Sequence, residues 1–325
     1  KCLYGLRSSA RGWHHKFRKE LFAWGFKAST ADPCLFTRER NGSVIRILLF
    51  VDDMGIFYDN DEHGTAMRDE LVENIDKEYK FSTQPDDNVY LGMCVERVSD
   101  TCLFLNQRRY IGEVSRKYGV EGCDPVYSPS NGKPVLMSDC WMPEHVRVEK
   151  ERRAALESCP GTDEREWPPL PKFDPKDNPE GRKYREQCGV LRWIEQCTRP
   201  DLSTRLSELC KVQLNPGPKH VKMLRQLMEY LVTTKDVGIM FGGPRGEHPS
   251  GPLIGYVDSD WAGDGETFAT RGGWAFQSWG GMVSWASYKI KSIAASSCEA
   301  EYMSAAMSVR ESKWLRYLFN GVSRL

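Results

Sequence analysis

Two adjacent carboxylates, Asp52 and Asp53, stand between two apolar runs, residues 47–51 and 54–58. Asp-containing pairs between strand-like runs read as a tight β-hairpin turn, which puts both carboxylates at the tip of a rigid element. Neighbouring anions repel, and a divalent cation between or beside them relieves the repulsion. An oxygen-only donor set suits Mg²⁺, which keeps waters and takes substrate phosphates as its remaining ligands. Two such ions can clamp the attacking and leaving oxygens of a phosphoryl transfer. A solvated hairpin turn carries the same residues without chemistry, so the pair alone leaves both readings open. A second acidic set lies near the end of the sequence. Asp258 closes a strand-like run at 253–257, and Glu301 falls in the first turns of a helical pattern opened by Ser296, so the two can meet across a sheet edge.

Composition limits what surrounds these residues. At 325 residues the chain has room for two or three domains. Lys+Arg and Asp+Glu are both 45, so overall charge says nothing about a nucleic-acid partner. The distribution is uneven: residues 1–19 carry Lys1, Arg7, Arg11, Lys16, Arg18 and Lys19 and no acid. That pattern fits a phosphate-facing surface and equally a solvated helix face. The 11 cysteines are odd in number and scattered without metal-like spacing. They read as reduced thiols of an intracellular protein, cytoplasmic or nuclear. No signal peptide or membrane-spanning run is visible. The first residue is Lys, which suggests a piece of a longer polyprotein.

The elements that must position the carboxylates follow from periodicity. Residues 9–26 form an amphipathic helix with Trp13, Phe17 and Leu21 on one face, and 62–79 a second with Met67, Leu71, Ile75 and Tyr79. Residues 44–51 and 54–58 form the hairpin, 89–98 and 102–106 another strand pair, and 107–118 a short helix. This alternation of helices and antiparallel hairpins predicts an α+β fold. From 129 to about 181 the chain is rich in Pro, Gly and charge, and reads as a loosely packed connection. Helices are expected at 184–196, 201–213 and 219–234, and a short linker at 242–251. A three-strand meander follows at 253–257, 271–278 and 281–287. The long helix after it opens on a capping box, Ser296 with Glu299.

Several ordered segments resemble copia-type retrotransposon reverse transcriptases. Lys1-Cys2-Leu3-Tyr4-Gly5-Leu6-Arg7 followed by Ala10-Arg11-Gly12-Trp13 is similar to that family's "LYGL…R-x-W" segment. Phe50-Val51-Asp52-Asp53 is similar to its Tyr/Phe-Val-Asp-Asp box. Tyr90-Leu91-Gly92-Met93, Leu105-Asn106-Gln107 and Tyr110-Ile111 resemble its "FLG…Q-x-x-YI" run, and Val126-Tyr127-Ser128-Pro129 its following "TP" stretch. Tyr184-Arg185 to Trp193 and Thr198-Arg199-Pro200-Asp201-Leu202 resemble its "Yr…tRPDi" region. Gly255-Tyr256-Val257-Asp258-Ser259-Asp260-Trp261-Ala262-Gly263 resembles the start of its ribonuclease H domain, and Ser296-Ser297-Cys298-Glu299-Ala300-Glu301-Tyr302 resembles that domain's "lStaEAEY" segment. The matches run in order over nearly the whole chain and are weakest over 131–180.

The resemblance implies a fold and roles. It implies a partial palm and thumb over 1–128, a charged linker over 129–183, a helical connection over 184–240 and an incomplete ribonuclease H-like α/β domain over 252–325. Asp52 would bind catalytic Mg²⁺ (or Mn²⁺) beside the primer end, with Asp53 assisting. Asp258 and Glu301 would be the nuclease's metal ligands, with Glu299 a helix-terminal acid and Asp260 and Asp264 loop acids. Lys1, Tyr4, Gly5, Arg7, Arg11 and Trp13 would lie under the template base and incoming nucleotide. Core packing is an equal reading for Tyr4 and Trp13. Gly92 would serve a backbone turn near the primer grip. The implied partners are an RNA template, a DNA primer, the RNA–DNA hybrid and deoxynucleoside triphosphates, with no membrane. The family's third polymerase carboxylate lies upstream of Lys1 and further nuclease aspartates lie beyond Leu325. The chain alone is therefore expected to be poorly active or inactive. Two other readings compete: a non-catalytic remnant that binds the hybrid or does nothing, and a phosphorylation-receiver domain, suggested by the apolar run 48–51 ending in paired acids.

Overall fold

A computed structural model describes residues 9–51, 53–79, 88–157, 172, 174–242 and 253–323. Among them the chain is a mixed α/β protein with eight α-helices and three antiparallel sheets. It divides into two compact units, Lys1–Glu96 with Ala306–Leu325, and Arg97–Ala305.

In the first unit, α1 (Ser9–Ala23) buries Phe17 and Leu21, four residues apart on one face. It ends in a Schellman turn: Gly25 sits at φ +85, its N–H donates to Phe22 O, and the Phe26 N–H donates to Leu21 O at 2.9 Å. Strands β1 (Lys27–Ala28), β2 (Leu35–Arg40), β3 (Ser43–Phe50) and β4 (Asp53–Tyr58) make an antiparallel sheet in sequence order. The β2–β3 link is Asn41-Gly42, both at positive φ, the combination a two-residue hairpin turn requires. Helix α2 (Glu62–Glu78) starts on Asp61, whose carboxylate accepts from the Gly64 N–H and the Ser43 hydroxyl, both at 2.6 Å. These bonds hold the Asp61 carboxyl below its usual range. Met67, Leu71 and Ile75 of α2 and Phe17 and Leu21 of α1 close over Ile45, Ile47 and Leu49 of β3 to form this unit's core. Strands β5 (Val89–Tyr90) and β6 (Met93–Ser99) follow. Where one strand was expected over 89–98, Leu91 and Gly92 at φ +53 and +77 fold it into a two-residue turn.

The second unit holds β7 (Cys102–Asn106) and α3 (Arg108–Tyr118), closed by Gly119 at φ +65. Then come α4 (Glu144–Glu157), α5 (Gly181–Cys197), α6 (Ser203–Cys210) and α7 (Pro218–Thr233). Strand β8 (Ile239–Gly242) pairs with β7. Strands β9 (Ile254–Asp260), β10 (Arg271–Ser278) and β11 (Gly281–Lys289) form the expected meander, and α8 begins at Ser297 and runs to Ser323. Ile111 of α3, Tyr184 and Leu191 of α5, Leu206 of α6 and Leu227 of α7 are buried in one cluster.

That helical cluster is tied by Arg199, whose side chain is wholly buried. Its Nε and Nη2 donate to the two carboxylate oxygens of Asp201 at 2.9 and 2.7 Å, and its remaining donors reach Thr234 O and Oγ1. Tyr230 donates to Asp201 at 2.8 Å and lies under the guanidinium.

The structure corrects several expectations. Within the stretch from 129, read as a loosely packed connection, α4 forms without having been anticipated, with Arg147–Glu151 and Arg153–Glu149 pairs along it rather than an apolar stripe. The helix expected at 201–213 begins as a single 3₁₀ turn, Pro200–Leu202, before α6. Strands β2 and β8 were not anticipated. Every described ladder is antiparallel, which excludes the parallel sheet of a phosphorylation receiver.

Candidate functional site

The β3–β4 ladder pairs Leu49 with Met54 and Phe50 with Asp53, leaving Val51 and Asp52 as the connection. Asp52 lies outside the described residues, as do Lys1, Tyr4, Gly5 and Arg7. Opposed residues share a sheet face, and Ile45, Ile47 and Leu49 point into the core. Asp53 therefore sits with Phe50, Leu48, Gly55 and Phe57 on the outer face, away from α1 and α2. Asp53, Phe50 and Phe57 are all exposed. This face offers a carboxylate flanked by aromatic rings.

Three features hold the outer face in shape. Val51 stands at φ +54, a backbone region that β-branched residues avoid, and its carbonyl accepts the indole N–H of Trp13 from α1. Gly55 leaves room for its neighbours: a Cβ there would lie 3.0 Å from the Phe57 ring and 3.6 Å from the Tyr90 ring. The Tyr90 hydroxyl donates to Leu48 O at 3.2 Å. Burial, and then the Asp53 and Cys34 charges, push the Tyr90 phenol up, so it stays a neutral donor. Neither the Val51 geometry nor Tyr90's place beside Asp53 has a sequence signal.

Of the residues expected to touch nucleic acid, Arg11 is exposed on α1. Trp13 is half-buried, stacked on Phe17 with centroids 5.5 Å apart and edge-on to Tyr79 at 5.1 Å. Gly92 is the second residue of the β5–β6 turn, at φ +77.

In the second unit, Asp258 is not at a strand tip. Strand β9 continues through Asp260, which pairs with Arg271 and is not the loop acid expected, and Asp258 lies opposite Gly273. Its neighbour Ser259 pairs with Gly272, where a Cβ would come 2.4 Å from Ser304 Oγ of α8. Asp258 thus faces the side away from that contact. There it and Asp260 line a cavity of about 460 Å³ with Thr204 and Glu208 of α6, Arg271 and Trp285. Arg271 donates to Ser207 at 2.7 Å. Glu301 is exposed on α8 and does not line this cavity. Glu299 caps α8: its N–H donates to Ser296 Oγ at 3.1 Å and its carboxylate accepts the Ala295 N–H at 2.7 Å. Asp264 is a loop acid as expected. It accepts the Glu266 and Thr267 N–H groups and pairs with Lys211 at 2.7 Å. Despite partial burial, these contacts hold its carboxyl far below the ordinary range.

Among the described residues, no group of three or more His, Cys, Asp or Glu side chains is placed to hold a metal ion. At the hairpin the donor chemistry suits a hard cation, with Asp53 exposed and Asp52 next to it in sequence. Around Asp258 and Glu301 the described side chains do not converge on one donor set. No helix among the described residues is long and apolar enough to cross a membrane.

Comparison with known proteins bears on what these faces serve. Residues 1–132 match the family described as reverse transcriptase (RNA-dependent DNA polymerase). Over 97% of its length the chain is 29% identical to the retrovirus-related Pol polyprotein from transposon TNT 1-94 of Nicotiana tabacum, and likewise to that from transposon RE1 of Arabidopsis thaliana. Over nearly its whole length the chain resembles the Pol polyproteins of copia-type retrotransposons. It spans about a fifth of the length of those relatives, 21% and 18%. A 132-residue stretch is also 35% identical to secreted RxLR effector protein 161 of Plasmopara viticola, covering 41% of this chain and 90% of that protein. No solved structure matches.

Proposed function

We propose that the outer face of the β3–β4 hairpin is the primer-end side of an RNA-directed DNA polymerase site within a longer polyprotein. The observation that carries this is the conjunction of a tight hairpin bend bearing an exposed carboxylate with a reverse-transcriptase match over the same residues. The first unit is then palm, α3 and the helices after it thumb and connection, and β9–β11 with α8 the start of a ribonuclease H-like domain.

In this reading Asp52, on its sequence position alone, would hold a divalent cation, Mg²⁺ or Mn²⁺, with the exposed Asp53 assisting. Such an ion supplies charge neutralisation and orientation at the transferring phosphate. The chain's own residues do the rest. The exposed rings of Phe50 and Phe57 give a primer base or sugar an apolar surface, and Tyr90 holds the strand beneath them through Leu48 O. The partners are an RNA template, a DNA primer and deoxynucleoside triphosphates. Asp258 and Glu301 are assigned to hybrid cleavage from sequence similarity. The described residues do not gather them into one donor set.

The test is RNA-templated primer extension by the complete polyprotein. Asp52→Asn abolishes synthesis and leaves the circular dichroism spectrum unchanged; near-normal synthesis would refute the assignment. For the nuclease, Glu301→Gln abolishes hybrid cleavage and Glu299→Gln does not; the reverse result reassigns the ligand. A second reading, a non-catalytic protein of the same descent, draws on the short effector relative, 90% of which this chain covers. Stop codons in the genomic sequence flanking the chain would favour it.

A further inference from the structure

We propose that Trp13 is a positioning residue for the hairpin apex: its indole N–H holds the Val51 carbonyl and thereby keeps Val51 in the left-handed backbone conformation. The inference deepens the polymerase reading, on which its catalytic consequence rests. A branched side chain resists positive φ because its Cβ substituents crowd the following carbonyl. Such a residue persists only where its surroundings over-determine it. Val51 is half-exposed, so packing alone does not do this. Among the described residues, the side-chain donor that reaches its carbonyl is Trp13.

Trp13 is itself fixed. Its ring stacks on Phe17, which is wholly buried between α1 and the sheet, and meets the edge of Tyr79 just past α2. The Tyr79 hydroxyl donates to Glu20, and Lys16 lies over the Tyr79 ring at 4.8 Å. The α1–α2 packing thus ends in one donor aimed at the turn. The Val51 φ angle sets the direction in which the chain leaves β3 toward Asp53 on β4, and loss of that alignment by fractions of an ångström slows a reaction that depends on pre-set geometry. Trp13 thus acts through the backbone rather than by lying under a base.

The chain itself provides the first test. By nuclear magnetic resonance, the Trp13 indole proton exchanges with solvent more slowly than a free indole, and the Val51 Cα and Cβ shifts carry a positive-φ signature. Trp13→Phe keeps the ring and removes the donor. The Val51 signature is then lost or averaged, while core methyl signals from Leu21 and Ile75 stay. Gly adopts positive φ without help, so in a Val51→Gly background Trp13→Phe perturbs Phe50 and Asp53 less. An unprotected indole proton, an unchanged Val51 signature, or equal perturbation in both backgrounds overturns the proposal. The indole exchange needs no variant, so it decides even if Trp13→Phe fails to fold. In the complete polyprotein, Trp13→Phe lowers kcat about three- to tenfold, the size of one hydrogen bond, with nucleotide KM unchanged. Val51→Gly shrinks that deficit. If the unmodified polyprotein makes no DNA, the polymerase reading has failed, and the resonance arm still decides the clamp.

Discussion

Asp201→Asn should be among the most damaging single substitutions in the second unit. Arg199 has no exposed side-chain surface, and Asp201, with about a third of its side chain exposed (32%), supplies its counter-charge through two bonds. An asparagine offers one acceptor where two N–H groups point, and leaves the guanidinium buried without a balancing charge. Removing one partner of a buried pair typically costs 3–5 kcal/mol; because water reaches Asp201, the low end, about 3 kcal/mol, applies. For a unit of this size that corresponds to a fall in Tm of roughly 6–12 °C. Calorimetry of the whole chain reads it as a shift of the second unit's transition. Arg199→Met combined with Asp201→Leu replaces the pair by apolar groups and is less damaging than Asp201→Asn alone. A loss below about 1 kcal/mol, or a double variant worse than the single, would refute the reasoning. The same pair sets a pH dependence. Burial pushes the Asp201 carboxyl up, but its bonds to Arg199 and Tyr230 more than reverse this and hold it below the ordinary range. The stabilisation is present above the unfolded carboxyl's pKa, about 3.9, and is lost as pH falls through the lower folded value.

Three further outcomes follow from other contacts. His220 is fully buried, accepting the Gly217 N–H at Nδ1 and contacting Leu136 O through Nε2 at 2.8 Å; burial, outweighing the Leu136 bond, holds its pKa down. Stability should therefore decline as pH falls below about 6.5 toward the folded value, and urea midpoints should show a flatter profile for His220→Gln. Gly272→Ala drives a methyl to 2.4 Å from Ser304 Oγ and 2.9 Å from the Tyr288 hydroxyl, prising α8 from the sheet, and should lower stability by about 1–3 kcal/mol in urea titration. Ser296→Ala removes the acceptor for the Glu299 N–H and should cost about 1 kcal/mol, read as faster amide exchange in the first turn of α8.

Much of the frame was legible because it rests on local periodicity. Phe17 and Leu21, then Met67, Leu71 and Ile75, fall at helical spacing and are the buried faces of α1 and α2. The β3–β4 hairpin and the meander of β9–β11 show as apolar runs broken by turn residues. The unread elements lacked such runs. Strand β2 is Leu-Phe-Thr-Arg-Glu-Arg, half charged, although Asn41-Gly42 after it is a strong hairpin signal. Strand β8 is four residues long and exists through its pairing with distant β7. Helix α4 is held by Arg–Glu pairs, which mimic a solvated charged stretch. At the candidate site the carboxylates were legible as types in sequence. Their setting was not: the Trp13–Val51 bond spans 38 positions and the Tyr90–Leu48 bond 42. No local pattern encodes either. The strand register that turns Asp258 toward α6 is likewise tertiary.

The most direct measurement is single-turnover incorporation of one nucleotide by the complete polyprotein, with primer–template affinity measured in parallel. With Asp52→Asn the incorporation rate should fall by on the order of a thousandfold or more while the Kd for primer–template stays within a few-fold. A rate within a few-fold of the unmodified protein, or a loss explained wholly by weaker duplex binding, would contradict a catalytic role for the hairpin carboxylates.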